Sequence, residues 1–138
     1  MKEYVFSDCE IGLSESFAVE ITETMMTNFC TISGDENPMH MSSIYAQNHG
    51  YEDRLVYGML TSSFFSRLVG MYLPGRYCIL KTVEVFFERP VYIGDVLTVS
   101  GRVKEKDERF RQMIIKGTIK NQEGKTVSKA NILVGFYE

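Results

Sequence analysis

The chain has 138 residues, 44% of them hydrophobic and 24% charged, with a formal net charge of -3. That length predicts one domain over residues 1–138, long enough to bury roughly two-thirds of its unfolded surface without help from disulfides or metal. The composition excludes a disordered chain, which needs fewer apolar residues and more net charge. The slight acidity argues against a nucleic-acid partner, which calls for a basic face.

Cys9, Cys30 and Cys78 are odd in number and form no C-x-x-C pair. This argues against a disulfide framework or a thiolate metal site and fits a reducing, cytoplasmic setting. The opening Met1-Lys2-Glu3-Tyr4 lacks the apolar run of a signal peptide. The longest mainly apolar stretch, residues 59–73, is broken by Thr61, Ser62, Ser63, Ser66 and Arg67. It falls short of the roughly 18 apolar residues that span a bilayer, so no membrane partner is expected.

Residues 16–20 alternate as a short first strand. Thr22 and Thr24 are N-cap candidates for a helix running to about Thr31, with Met25, Met26, Phe29, Cys30 and Ile32 at helical spacing. Ser33-Gly34-Asp35-Glu36-Asn37-Pro38 is a dense cluster of turn formers, and Pro38 bars its predecessor from helix. Residues 41–48 predict a short helix capped by Ser42 or Ser43. A polar loop follows. Residues 58–73 predict a second helix so apolar that it should be buried on nearly all sides. Pro74-Gly75 ends it. From Cys78 the period changes to two, with Val83, Val85 and Phe87 alternating against Glu84, Phe86 and Glu88. Three more strands follow over residues 96–103, 110–120 and 125–137, each bounded by turn residues. Long neighbouring strands with tight turns imply an antiparallel sheet, and an apolar helix needs something to wrap it. The expected class is therefore α+β, a curved sheet around one helix.

The segment from Ser33 to His40 places two carboxylates, a carboxamide and one of only two histidines in a turn. Loops on a rigid scaffold are where reacting groups tend to lie. Asp35 and His40, five apart with a proline between, can face one cleft and act as an acid–base pair. The same residues also fit a plain Asx turn with a histidine after it. Gly58 opens the apolar helix, where unpaired N–H groups and a glycine's open backbone suit a developing oxyanion, or simply tight packing against a sheet. Ser66 on the apolar helix can orient a carboxylate or bond back to its own helix. His49, Glu84 and Glu88 are read as solvated. No G-x-G-x-x-G, P-loop, H-E-x-x-H or G-x-S-x-G is present, and the nine-residue spacing of His40 and His49 matches no common metal site. No cofactor and no metal is expected.

Together these segments resemble the MaoC-like family, which includes the (R)-specific enoyl-CoA hydratases and has the hot-dog fold, an antiparallel sheet wrapped around one long helix. The family signature S-G-D-x-N-P-x-H reads here Ser33-Gly34-Asp35-Glu36-Asn37-Pro38-Met39-His40. Its H-G-M-L segment reads Tyr57-Gly58-Met59-Leu60, and its F-x-x-P-V-x-x-G-D turn reads Phe87 to Asp95. The resemblance implies hydration of trans-2-enoyl thioesters to (R)-3-hydroxyacyl thioesters, or the reverse, on coenzyme A or acyl carrier protein. Asp35 and His40 would be the acid–base pair and the Gly58 N–H the oxyanion donor. Asn37 and Ser66 would be supporting residues, Ser66 by steadying Asp35, while Tyr57 and Met59 line the substrate pocket. It also implies a homodimer. One departure stands out: the family histidine before Gly-Met is Tyr57 here, which alters the pocket near the thioester. Two other readings fit the residues, a hot-dog acyl-CoA thioesterase and a non-catalytic acyl-thioester binding module.

Overall fold

The structure, a computed structural model, describes residues 1–138. Strand β1 (Ser14–Glu20) begins two residues before the expected position. The Thr22 hydroxyl then accepts the Met25 N–H and caps α1 (Glu23–Ser33). That helix runs two residues past the expected end, because Gly34 at φ 70° supplies the left-handed residue that closes it. Pro38 occupies the first turn of a single-turn helix α2 (Pro38–Met41), where its missing N–H costs nothing. Ser42, one of the two expected caps, accepts the Tyr45 N–H and starts α3 (Ser43–Asn48). Arg54 pairs with Glu23, fastening the following loop to α1.

The sheet is fully antiparallel in its pairings, with spatial order β1-β3-β4-β5-β2, from β2 (Cys78–Phe87), β3 (Val96–Asp107), β4 (Gln112–Lys120) and β5 (Thr126–Phe136). All four later strands were expected within a few residues of these bounds. β3 presents Leu97, Val99 and Val103 inward, the face the alternation indicates. They pack with Ile115, Ile132 and Val134 against Phe65 and Leu68 of the long helix. That helix lies close to the sheet because Gly101 and Gly117 sit opposite each other in register and leave the room that Leu68 and Phe65 fill. This is the expected hot-dog arrangement.

The expectation for the apolar helix needs correction. Regular α4 covers Gly58–Arg67, and the chain continues as a wider π turn over Leu68–Tyr72. One face, carrying Met59 (66% exposed), Ser63 and Ser66, is open to solvent. The sheet curves around only part of the helix, and β2 beside the open face is an edge strand whose Leu80, Val83, Phe86 and Phe87 are also exposed. No helix is long and apolar enough to cross a membrane. Cys9, Cys30 and Cys78 are free thiols.

Candidate active site

The turn between α1 and α2 is built by local side-chain hydrogen bonds. Ser33 Oγ accepts the Asp35 N–H at 3.1 Å, Asp35 Oδ1 accepts the Asn37 N–H at 3.0 Å, and Asn37 Oδ1 accepts the Met39 N–H at 2.9 Å. Three consecutive turns of this kind reverse the chain in few residues. The Asx-turn reading of this segment is thus correct as a description of the backbone. It does not consume the chemistry, since Asp35 Oδ2 has no protein partner. Asn37 serves as the cap of α2.

His40 rises from α2 half-buried, with Nδ1 2.8 Å from the Leu55 carbonyl. A carbonyl only accepts, so Nδ1 carries a proton and donates it, and in the neutral imidazole this leaves the lone pair on Nε2. The imidazole packs against Tyr57 at 4.2 Å between ring centroids, with the rings tilted by 30°. Tyr57 is 2% exposed and donates its hydroxyl to the Asp35 carbonyl at 2.6 Å. Burial pushes its phenol up to about 12, so it stays a donor.

Gly58 is the first residue of α4, and its cap, Tyr57, offers no side-chain acceptor. The Gly58 and Met59 N–H groups have no acceptor within the chain. A Cβ on Gly58 would stand 2.9 Å from the Phe87 ring, so a glycine is needed for that ring to lie over the helix start.

A cleft of about 270 Å3 brings Asp35, His40, Tyr57, Gly58 and Met59 together, with Phe29, Ser33 and Phe87 completing its wall. Five of the seven residues singled out from sequence therefore share one site. Asn37 lies behind it as a cap. Ser66 is apart, in a groove of about 420 Å3 between α4 and β2, and no hydrogen bond joins it to Asp35. A third cleft, of about 340 Å3, meets the first at His40, Gly58 and Phe87 and extends past Arg89. His49 is exposed, as expected, with Nδ1 on its own helix at Tyr45. Sequence reasoning missed Leu55, which acts through its carbonyl and leaves no side-chain signal. It also missed Phe87, which is distant in the chain and meets Gly58 only through the fold.

A carboxylate with a free oxygen, an imidazole whose Nε2 faces no protein partner and open helix N–H groups share one cleft of a hot-dog sheet, an arrangement that can exchange protons with a substrate and hydrogen-bond a developing oxyanion. The chain belongs to the MaoC like domain family, whose model matches residues 11–126. It is similar to an (R)-specific enoyl-CoA hydratase of Rhodospirillum rubrum, 37% identical over 75% of this chain and 74% of that protein. It is also similar to a 3-hydroxybutyryl-CoA dehydratase of Methylorubrum extorquens, 34% identical over 72% of this chain; the match spans 64% of that relative's length, just under two-thirds. Among solved structures it resembles R-hydratase PhaJ1 from Pseudomonas aeruginosa, with a TM-score of 0.90, 29% identity and coverage of 97% of this chain and 86% of that one. The (R)-hydratase from A. caviae involved in PHA biosynthesis aligns with a TM-score of 0.88 and 27% identity over 93% of this chain and 97% of that one.

Proposed function

We propose that residues 1–138 form one hot-dog unit that reversibly hydrates trans-2-enoyl thioesters to (R)-3-hydroxyacyl thioesters. The observation that carries this reading is the meeting of Asp35, His40 and Gly58 on one cleft, with His40 Nδ1 engaged by the Leu55 carbonyl and the Gly58 N–H unpaired. The names of the relatives supply the reaction class.

Asp35 and His40 hold a water between Oδ2 and Nε2. The water gives one proton to the pair as its hydroxide adds to C3 of the enoyl group. Electron density then moves to the thioester oxygen, where the Gly58 N–H and the positive end of α4 stabilise the enolate. The pair returns one proton to C2, so it ends as it began. Each step reverses for dehydration. Asn37 keeps the turn in shape by capping α2.

The edge position of β2 and its exposed apolar residues support a homodimer. A second copy laid against β2 would cover both that edge and the open face of α4, burying apolar surface and pairing unpaired strand groups. Ser66 lies on that face and would meet the partner there. The test of the reaction is loss of enoyl-thioester absorbance without thiol release. Release of thiol would instead support a thioesterase.

A further inference from the structure

Tyr57 departs from the family pattern and is the most buried side chain on the catalytic cleft. Its hydroxyl reaches the Asp35 carbonyl at 2.6 Å and also touches Met41 Sδ at 3.7 Å. Its ring packs against His40 at 4.2 Å and against Phe29 at 4.8 Å between ring centroids, both tilted, so the ring is held from both α1 and α2. Its own backbone is the cap of α4, next to the Gly58 N–H. One side chain thus contacts the main chain of the carboxylate residue and the ring of the histidine, and is joined covalently to the oxyanion donor. We propose that Tyr57 is a positioning residue that fixes the separation of Asp35, His40 and the Gly58 N–H.

Asp35 sits on an exposed turn whose other hydrogen bonds are all short-range, among them three Asx and serine bonds. Those bonds shape the turn but do not anchor it to the rest of the fold. The Tyr57 hydroxyl supplies that anchor across 22 positions of sequence. His40 is in the complementary state: the Leu55 carbonyl fixes Nδ1, leaving rotation about that bond to be limited by the Tyr57 ring face. Because burial keeps the phenol protonated through the physiological range, the anchor does not switch off with pH. An imidazole at this position is shorter than a phenol and cannot span the same gap with the same backbone. The inference rests on the hydratase reading for its kinetic consequence, though not for its geometric one.

Tyr57→Phe keeps the ring and removes the anchor, and Tyr57→Leu removes both. With enoyl thioester as substrate, Tyr57→Phe should lower kcat about 10- to 100-fold with KM changed less than threefold, because small misplacements of reacting groups carry penalties of this size. Tyr57→Leu should be lower still. A resting-state readout separates this from the hydratase reading itself. The chain has two histidines, so ring-nitrogen NMR resolves His40, with His49 as an internal reference. Tyr57→Leu should broaden or shift the His40 signals and alter its titration while His49 is unmoved. Tyr57→Phe should move the Asp35 amide signals. If both variants keep the wild-type His40 titration and Asp35 signals, the positioning role is wrong, whatever the activity. If those signals move but the wild-type protein hydrates no enoyl thioester, the positioning role stands and the reaction assignment fails. Near-wild-type kcat in Tyr57→Phe in an active hydratase overturns the proposal.

Discussion

Gly117→Ala should destabilise the fold at the seat of the central helix. A Cβ at this position would stand 2.5 Å from Phe65 Cε1, 2.9 Å from its Cδ1 and 3.3 Å from Ile132 Cδ1. The Phe65 ring must retreat about 0.9 Å to reach an ordinary 3.4 Å contact. It cannot do so freely, because Phe65 is fully buried on α4. Overpacking of this kind costs roughly 1–3 kcal/mol. An unfolding entropy of about 2.1 cal/mol/K per residue gives this chain about 290 cal/mol/K, so the expected fall in Tm is about 3–10 °C. Gly70→Ala is the control, since a Cβ there meets nothing within 4 Å. The assay is thermal and urea unfolding of both variants and of Gly117→Ala with Phe65→Leu. Removing ring volume should relieve the clash, so the double variant should be more stable than the sum of the singles implies. A Gly117→Ala protein with wild-type Tm, or strict additivity with Phe65→Leu, would refute the reasoning that these glycines set the depth of the helix.

Asp35→Asn and His40→Ala should each lower kcat by roughly 10²–10⁴-fold with the fold intact by circular dichroism, the usual size of a general acid–base contribution. Near-wild-type turnover in either would contradict the assignment of that residue. Val83→Glu, which places a charge on the exposed apolar face of the β2 edge, should convert a dimer to a monomer in sedimentation; unchanged mass would move the interface elsewhere. Burial holds the Cys9 and Cys78 thiols up from their ordinary 9.0 to about 11, and Tyr57 from 10.0 to about 12. The folded state therefore keeps protons that the unfolded chain loses first. Stability from these groups is complete below about pH 9 and falls as pH rises through 11 to 12. Urea midpoints measured from pH 8 to 11.5 should decline above pH 9, less steeply in Cys78→Ala, and a flat profile would contradict the burial argument.

The strands were legible because β3, β4 and β5 each bury one face and expose the other, which writes a period of two into the sequence. α4 was misjudged in surroundings, though its start at Gly58 was right. Its small and polar residues Ser62, Ser63 and Ser66 read as breaks in an apolar run, whereas Ser63 and Ser66 sit on the face the sheet leaves open. Periodicity reports which residues avoid water and does not report what covers them. At the site, Asp35, Asn37 and His40 were visible because turn chemistry is local and has a fixed spacing. The Tyr57 link to Asp35, the Leu55 carbonyl on His40 and the Phe87 ring over Gly58 join positions distant in the chain. No local pattern encodes them. The resemblance to a known signature supplied the likeness in function and flagged Tyr57 as unusual, but gave no account of where its hydroxyl goes.

The most direct test of the central claim is to follow the ultraviolet absorbance of the conjugated enoyl thioester when the purified protein meets crotonyl-CoA, with free thiol measured in parallel. The account predicts loss of absorbance without thiol release, giving the (R)-3-hydroxy product, and loss of that activity in His40→Ala. Release of thiol at the rate of absorbance loss, or formation of the (S)-alcohol, would contradict it.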